Sequence, residues 1–495
     1  MSDARLDTLA QKLVVLEQKK KSLLDDLDAV QLEIIHVQAM HAFLRNQTLP
    51  VARLPPEIMG QIFLIGQRDE RDENDKRDCE SYYGRSQPRT SKLLFELTVS
   101  HTSRHWRDLA LATPLLWSRI TTWPTARPLA AVLESIATYL ARSGTCPLDI
   151  DADIVEADLL DLICAPHNVA RWRCVRLDTS NGEYDHNHIL ALIGHVAAPL
   201  LERISLWSKW LGTEPFIDCH LFTAGAPALT YVRLGGLMAK PPLQTVTTLI
   251  LEASGYIPFP WFRDLIAATP WLVNLSLSGV DIDLEPSAQG HPSLNFPSLR
   301  SLRICPIESG TELAYQFLSA VHAPNLCSLI LAGCSDDEPL PNLSWPALTP
   351  FPTLHSLTLI DCVLSHTNFQ SLQRALPAIT HLSLLGNHSG ILERLADEGR
   401  CQYRADLPWQ ALTTLTLEGL DTVQDFVLCR LTLAARKQLG CPIAVLRINK
   451  MLQVRLRRRE RPGWLEAIVA VETWVHREPW PPGTDVVDLY DTFGN

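Results

Sequence analysis

Along the second two-thirds of the chain, aliphatic residues recur in a fixed pattern: Pro-x-Φ-x-x-Φ-x-Φ, with Φ aliphatic. Strict copies are Pro199/Leu201/Ile204/Leu206, Pro227/Leu229/Val232/Leu234, Pro270/Leu272/Leu275/Leu277 and Pro297/Leu299/Leu302/Ile304. Pro324/Leu326/Leu329/Leu331, Pro352/Leu354/Leu357/Leu359 and Pro377/Ile379/Leu382/Leu384 continue the series. Degenerate copies are Trp172/Val175/Leu177, Val246/Leu249/Leu251, Leu412/Leu415/Leu417 and Ile443/Leu446/Ile448, which makes eleven units. The first Φ positions are mostly 25 to 29 residues apart. Each Φ-x-Φ predicts a short strand with one buried side. Apolar stretches such as Ile189–Val196, Phe262–Ile266, Phe317–Val321 and Phe369–Leu376 predict helices before the strands, each ended by Pro.

A different period governs residues 3–48. With Leu6 at a, the a positions are Leu6, Leu13, Lys20, Leu27, Ile34 and His41, and the d positions Leu9, Leu16, Leu23, Val30, Val37 and Leu44. Ten of these twelve are apolar and no Gly or Pro interrupts them, which predicts a long helix pairing as a coiled coil. Leu24, Leu32 and Ile35 widen the stripe, so an amphipathic helix folded back on the next domain is the other reading. Self-association through residues 3–48 follows from the first.

Between these regions lie two apolar helical segments. Leu54-Pro55-Pro56-Glu57-Ile58 opens a helix: proline suits the first turn and Glu57 complements the positive helix end. Ile58, Ile62 and Ile65 fall on one face. The second segment carries Leu97, Val99, Trp106, Leu109 and Leu116, with a break at Pro114. In order, Leu-Pro-x-Glu-Ile-x-x-x-Ile-Phe (residues 54–63), Leu-x-Val-Ser followed by Trp106-Arg107-x-Leu109-Ala110, and Pro114-x-Leu116-Trp117 resemble the F-box, in the form common in mushroom-type fungi. There are two departures: a polar insertion between Ile65 and Leu93, and His101 near a position where Cys is common. Residues 67–92 hold fourteen charged residues of 26 and no Val, Ile, Leu or Phe, and are expected to be a disordered loop with Ser81, Ser86 and Ser91 as modification candidates.

The repeat period and strand pattern are those of leucine-rich repeats. One unit cannot bury its own apolar face, so stacked units must share a core. The fold class expected is an α/β solenoid, an irregular horseshoe, preceded by a small all-α F-box and the N-terminal helix. The expected domains are 1–48, 49–123, 124–462 and a C-terminal cap and extended tail over 463–495. A short helix over Leu129–Arg142 and a strand over Pro147–Asp151 should lead into the array.

Composition narrows the function. Formal net charge is −11, which speaks against nucleic-acid binding as the main task. The 12 cysteines form no C-x-x-C pair, as expected of a reduced chain in the cytoplasm or nucleus. Met1–Arg5 opens no signal peptide, and no run of 18 apolar residues exists, so no membrane span is expected. Phosphate-loop, dinucleotide, nucleophile-elbow and metalloprotease motifs are all missing. His186 with His188, and Asp336-Asp337-Glu338, are weak metal candidates better read as solvated side chains, so no cofactor and no metal is expected. The run Arg455–Arg461 reads as a solvated helix face.

The resemblance implies an adaptor protein and not an enzyme. Its F-box would dock the small adaptor subunit of an SCF-type cullin–RING ubiquitin ligase, and through it the cullin. Leu54, Pro55, Ile58, Ile62, Phe63, Leu97, Val99 and Trp106 map to that contact, some of them filling the F-box's own core instead. The repeats would hold a protein substrate on their concave face, where the strand x positions Arg176, Arg233, Ser276, Arg303, Ile330, Thr358, Ser383, Thr416 and Arg447 point. The rival is a repeat scaffold with no role in ubiquitination.

Overall fold

A computed structural model of the chain describes residues 2–81, 94–122, 128–153, 156–180, 186–208, 219–282, 284, 293–306, 311–334, 351–386, 389–396, 407–419, 423–459, 464–465, 467–474 and 480–481. The chain divides into two compact units, Met1–Leu116 and Trp117–Asn495.

The first unit is helical: α1 (Ser2–Thr48), α2 (Pro56–Ser81), α3 (Phe95–Thr102) and α4 (Arg104–Leu111), with 3-10 turns at Pro50–Arg53 and Pro114–Trp117. The helix α1 is one uninterrupted rod of 47 residues, about 70 Å long at 1.5 Å per residue. Its a and d residues, Leu16 and Leu23 among them, are all exposed, so it does not fold back on the following helices.

The helix α2 runs on through Ser81, so the expected disordered loop is helix at least that far. The reason is local. Residues 67–81 contain no Gly or Pro, and seven of the fifteen are Arg, Glu or Lys, all good helix formers. Two of its polar side chains are also tied inward: Gln67 Nε2 donates to Glu96 Oε2 and to the Leu116 carbonyl, and Glu70 Oε2 accepts from Phe95 N–H. Gly66 lets the Phe95 ring sit against α2, since a Cβ there would lie 2.4 Å from a ring carbon. Residues 82–93, with Ser86 and Ser91, lie outside the described residues.

The second unit is built on one 14-stranded parallel sheet: β1 (Arg119–Thr122), β2 (Leu148–Asp153), β3 (Trp172–Asp178), β4 (Arg203–Trp207), β5 (Tyr231–Gly235), β6 (Thr248–Ile257), β7 (Asn274–Ile282), β8 (Ser301–Cys305), β9 (Ser328–Ala332), β10 (Ser356–Ile360), β11 (His381–Leu385), β12 (Thr414–Leu417), β13 (Val445–Asn449) and β14 (Ala470–Trp474). Strand order follows chain order throughout, and helices lie in the connections, giving an α/β arrangement. All eleven repeats are strands. The sheet also extends beyond them at both ends: β1 and β2 precede the repeats and β14 follows, within the segment expected to be cap and tail. The helix at Leu129–Arg142 is present at those bounds.

Leu177, Leu206, Leu234, Leu251, Leu302, Leu329, Leu357, Leu382, Leu415 and Leu446 are essentially inaccessible and form a continuous core along one side of the sheet. A side-chain ladder stands where the turn precedes the strand. Thr230 bonds the Glu202 carbonyl, Thr247 the Thr230 carbonyl, Thr380 the His355 carbonyl and Thr413 the Thr380 carbonyl. One residue after the repeat's proline, Ser298, Asn325 and Thr353 bond the carbonyls of Pro270, Pro297 and Pro324. Each bond joins neighbouring repeats; the Glu202, Thr230, His355 and Thr380 carbonyls also accept backbone N–H groups of the next repeat. Among the described residues, no helix is long and apolar enough to cross a membrane. The ten cysteines described are free thiols.

Candidate binding surfaces

In the helical unit, the two faces of α2 separate cleanly. Met59 and Phe63 point into the core with Val99, Ala110 and Leu116. The Phe63 and Trp106 rings lie 5.3 Å apart, tilted by 55°. The Ser103 hydroxyl caps α4 by accepting from Trp106 N–H, which fixes the Trp106 backbone. Phe63 and Val99 are therefore core residues, filling this small interior together with Met59, Leu109 and Leu116; Leu97 and Trp106 are half-buried. Leu54, Pro55, Ile58 and Ile62 are exposed, Ile58 at 49% and Ile62 at 46%. Ile65, Leu111 and Leu115 are exposed too. The spacing of Ile58, Ile62 and Ile65 marked a shared face, but spacing alone did not say that this face looks outward.

In the sheet unit, the predicted strand positions Arg176, Arg233, Ser276, Arg303, Ile330, Thr358, Ser383, Thr416 and Arg447 fall in one register row, which Thr121, Asp151, Ser205, Ile250 and Glu472 complete. They lie on the side opposite the leucine core, here called the outer face.

The start of this face is ionic. Arg176 binds three carboxylates: Asp151 at 2.6 Å, Asp153 at 2.8 Å and Asp178 at 3.4 Å. Arg173 pairs with Asp149 through both nitrogens of its fork, at 2.9 and 2.5 Å. Four carboxylates thus face two guanidinium groups, a surplus of two negative charges. Burial pushes the Asp153 carboxyl above its ordinary value against the pull of Arg176, and Asp178 and Asp151 add to the rise.

Further along, the expectation of an open contact row fails at four positions. Arg233 is 2% exposed: its Nε and Nη2 reach Glu252 Oε2 at 2.8 and 2.7 Å, and its guanidinium stands 6.0 Å from the Trp207 ring centroid. Gly235 makes room for that ring, since a Cβ there would sit 2.5 Å from it. Ser276 and Arg303 are also buried. Over Arg303 lies Trp480, ring centroid 4.9 Å from the guanidinium carbon, its indole N–H donating to Ser301 Oγ at 3.1 Å. Arg233 and Arg303 are internal because an ion pair and rings from the chain itself cover them, and Ser276 lies next to Arg303 in the register row. Thr416 is buried as well. Arg176, Thr358, Ser383 and Arg447 remain half-exposed, Arg447 pairing with Glu472 at 3.0 Å. Between them the face is apolar: Ala332, Ile360 and Leu385 cluster, with Cys305, Ile330 and Trp474 packed against them.

Two other features were missed from the sequence. Trp480 lies in the tail expected to be merely extended; a large aromatic among Pro479, Pro481 and Pro482 was its signal. Trp271 is 64% exposed and lines a cleft of about 810 Å³ with Gln244, Pro297, Arg300 and Asn325. It follows the repeat's proline, where other copies carry Ala228, Ser298, Asn325 or Thr353.

Among the described residues no group of His, Cys, Asp and Glu has the placement to hold a metal ion. His188 Nε2 instead contacts Asp161 Oδ1 at 3.0 Å. The His186 side chain, Asp336–Glu338 and the Arg455–Arg461 side chains lie outside the description.

No family model matches the sequence, and no curated protein matches it.

Proposed function

We infer that the chain is the substrate-recognition subunit of an SCF-type cullin–RING ubiquitin ligase. Its helical unit acts as an F-box that docks the ligase adaptor, and its sheet unit as an irregular leucine-rich-repeat horseshoe that holds a protein substrate. The observation that carries this reading is the exposed apolar strip of Leu54, just before α2, and Ile58, Ile62 and Ile65 on it, while Met59 and Phe63 of the same helix already supply the core. A small helical unit gains nothing by leaving such a strip in water; a partner surface explains it. The resemblance of residues 54–117 to the F-box motif supplies the partner's class. The chain then contributes proximity and orientation, and ubiquitin transfer belongs to the other subunits.

The scaffold reading keeps one specific support, the exposed heptad residues of α1, which fit a second copy of the same helix. Self-association and adaptor docking use different residues, so both can hold.

The test is a pull-down of the full chain by purified adaptor subunit, beside a Leu54→Ala/Pro55→Ala variant and an Ile58→Asp/Ile62→Asp variant. The reading expects capture of the wild type and loss with both variants at unchanged melting temperature. Absence of capture of the folded wild type would hand the lead to the scaffold.

A further inference from the structure

Trp480 touches strands far from it in sequence. Its side chain is 4% exposed, its indole N–H is spent on Ser301, and its ring lies against Arg303. Pro481, next to it, is buried as well. These contacts fall mid-way along the outer face, where the sequence pattern places ligand-contacting residues. They also have the chemistry of an aromatic anchor site: a cation over a ring and an acceptor for its N–H.

On the strand next to that contact one buried polar group stays unsatisfied. Ser276 stands beside Arg303 in the register row and is 1% exposed, yet its hydroxyl makes no hydrogen bond among the described residues. A buried hydroxyl without a partner is costly, and a permanent core contact would be expected to satisfy it. An occupant that brought one more donor or acceptor would fit this place better than the chain's own tail does.

We propose that Ser276, Ser301 and Arg303 form an anchor subsite for a tryptophan in a proline-flanked segment of a protein partner, and that Trp480 occupies it in the free protein as an autoinhibitory latch. The prolines restrict the segment before binding and so reduce the ordering cost. The latch competes from a tethered position at an effective concentration of about 1 mM, enough to exclude weak ligands and yield to a better-fitting one. This rests on the outer face being the partner-binding surface and not on the adaptor contact.

The test uses the full chain and a fluorescein-labelled synthetic peptide of residues 475–484, Val-His-Arg-Glu-Pro-Trp-Pro-Pro-Gly-Thr, read by anisotropy. The Trp480→Ala chain should bind it saturably and at least about tenfold more tightly than the wild type, whose site is filled. The peptide with Ala at its Trp position should not bind, and adding Arg303→Ala to the opened chain should weaken binding about fivefold. If Trp480→Ala fails to fold, Trp480→Phe in the otherwise natural chain decides: it keeps an aromatic ring but loses the indole donor, leaves Ser276, Ser301 and Arg303 in place, and should raise peptide binding about threefold over wild type. Equal binding to wild type and to the folded variants, or binding to neither, overturns the proposal and makes Trp480 a fixed part of the core. Adaptor capture is measured on the same samples. Capture without peptide exchange sinks the latch alone, and exchange without capture sinks the ligase reading alone.

Discussion

In the unit Met1–Leu116, leucines and isoleucines that pattern as core residues stand in water: Leu16 and Leu23 on α1, Leu54, Ile58, Ile62 and Ile65 around α2. In the unit Trp117–Asn495, residues that pattern as surface are enclosed: Arg233, Ser276 and Arg303 on the outer face of the sheet. Periodicity placed both sets on the right face of the right element. What it could not convey was whether something covers that face. Exposed apolar groups point to a partner outside the chain. Buried polar groups point to a partner within it, Glu252 for Arg233 and the Trp480 ring for Arg303.

The largest expected effects fall on the enclosed residues. Glu252→Ala removes the carboxylate that two nitrogens of the buried Arg233 reach, and should cost roughly 3–5 kcal/mol, read as a drop in denaturation midpoint. Phe63→Ala in the helical core should cost a similar ~3–5 kcal/mol. Ile62→Asp, one position away on the opposite face, should change stability by less than about 0.5 kcal/mol. If Ile62→Asp destabilises as strongly as Phe63→Ala, the division of α2 into core and docking faces is wrong.

The next effect is on assembly. Leu16→Asp with Leu23→Asp puts charge into the heptad seam. Light scattering after size exclusion should show the wild type at twice the chain mass and the variant at the chain mass; equal masses would remove the coiled coil.

The smallest is electrostatic. The Asp153 carboxyl titrates above its ordinary value in the folded chain. A raised carboxyl pKa means that the folded state holds the proton more readily than the unfolded one. Ionised Asp153 therefore weakens the fold at neutral pH, and this penalty disappears as pH falls through the raised folded value. Asp153→Asn should melt at or slightly above the wild-type temperature at pH 7, with the advantage gone in acid. Asp151→Asn should show no such gain at pH 7. Thermal melts over pH 4–8 decide between them.

How far the fold could be read from sequence follows the same division. The eleven repeats were legible because each carries an apolar triad, aliphatic in all but Trp172, at a spacing that suits a one-sided strand. The end strands were not. Arg119-Ile120-Thr121-Thr122 offers one aliphatic residue, and β14, Ala-Val-Glu-Thr-Trp, lacks the triad; both join by extending an edge that already exists. The continuation of α2 was hidden because residues 67–81 have no apolar face, yet Gln67 and Glu70 hold it by hydrogen bonds. Of the binding surfaces, the docking strip was legible as a set of residues but not as a surface. The covered stretch of the outer face was not legible, because Trp480 meets Ser301 across 179 positions of sequence.

The central claim is that the exposed apolar strip of the helical unit, and not the sheet, receives the ligase adaptor. Hydrogen exchange of the full chain, with and without a saturating amount of purified adaptor subunit, addresses it directly. The account predicts slowed exchange confined to the amides around 54–65, 97–106 and 111–116, with 301–305 unchanged. Protection on the strands of the sheet, with residues 54–65 exchanging as in the free chain, would contradict it.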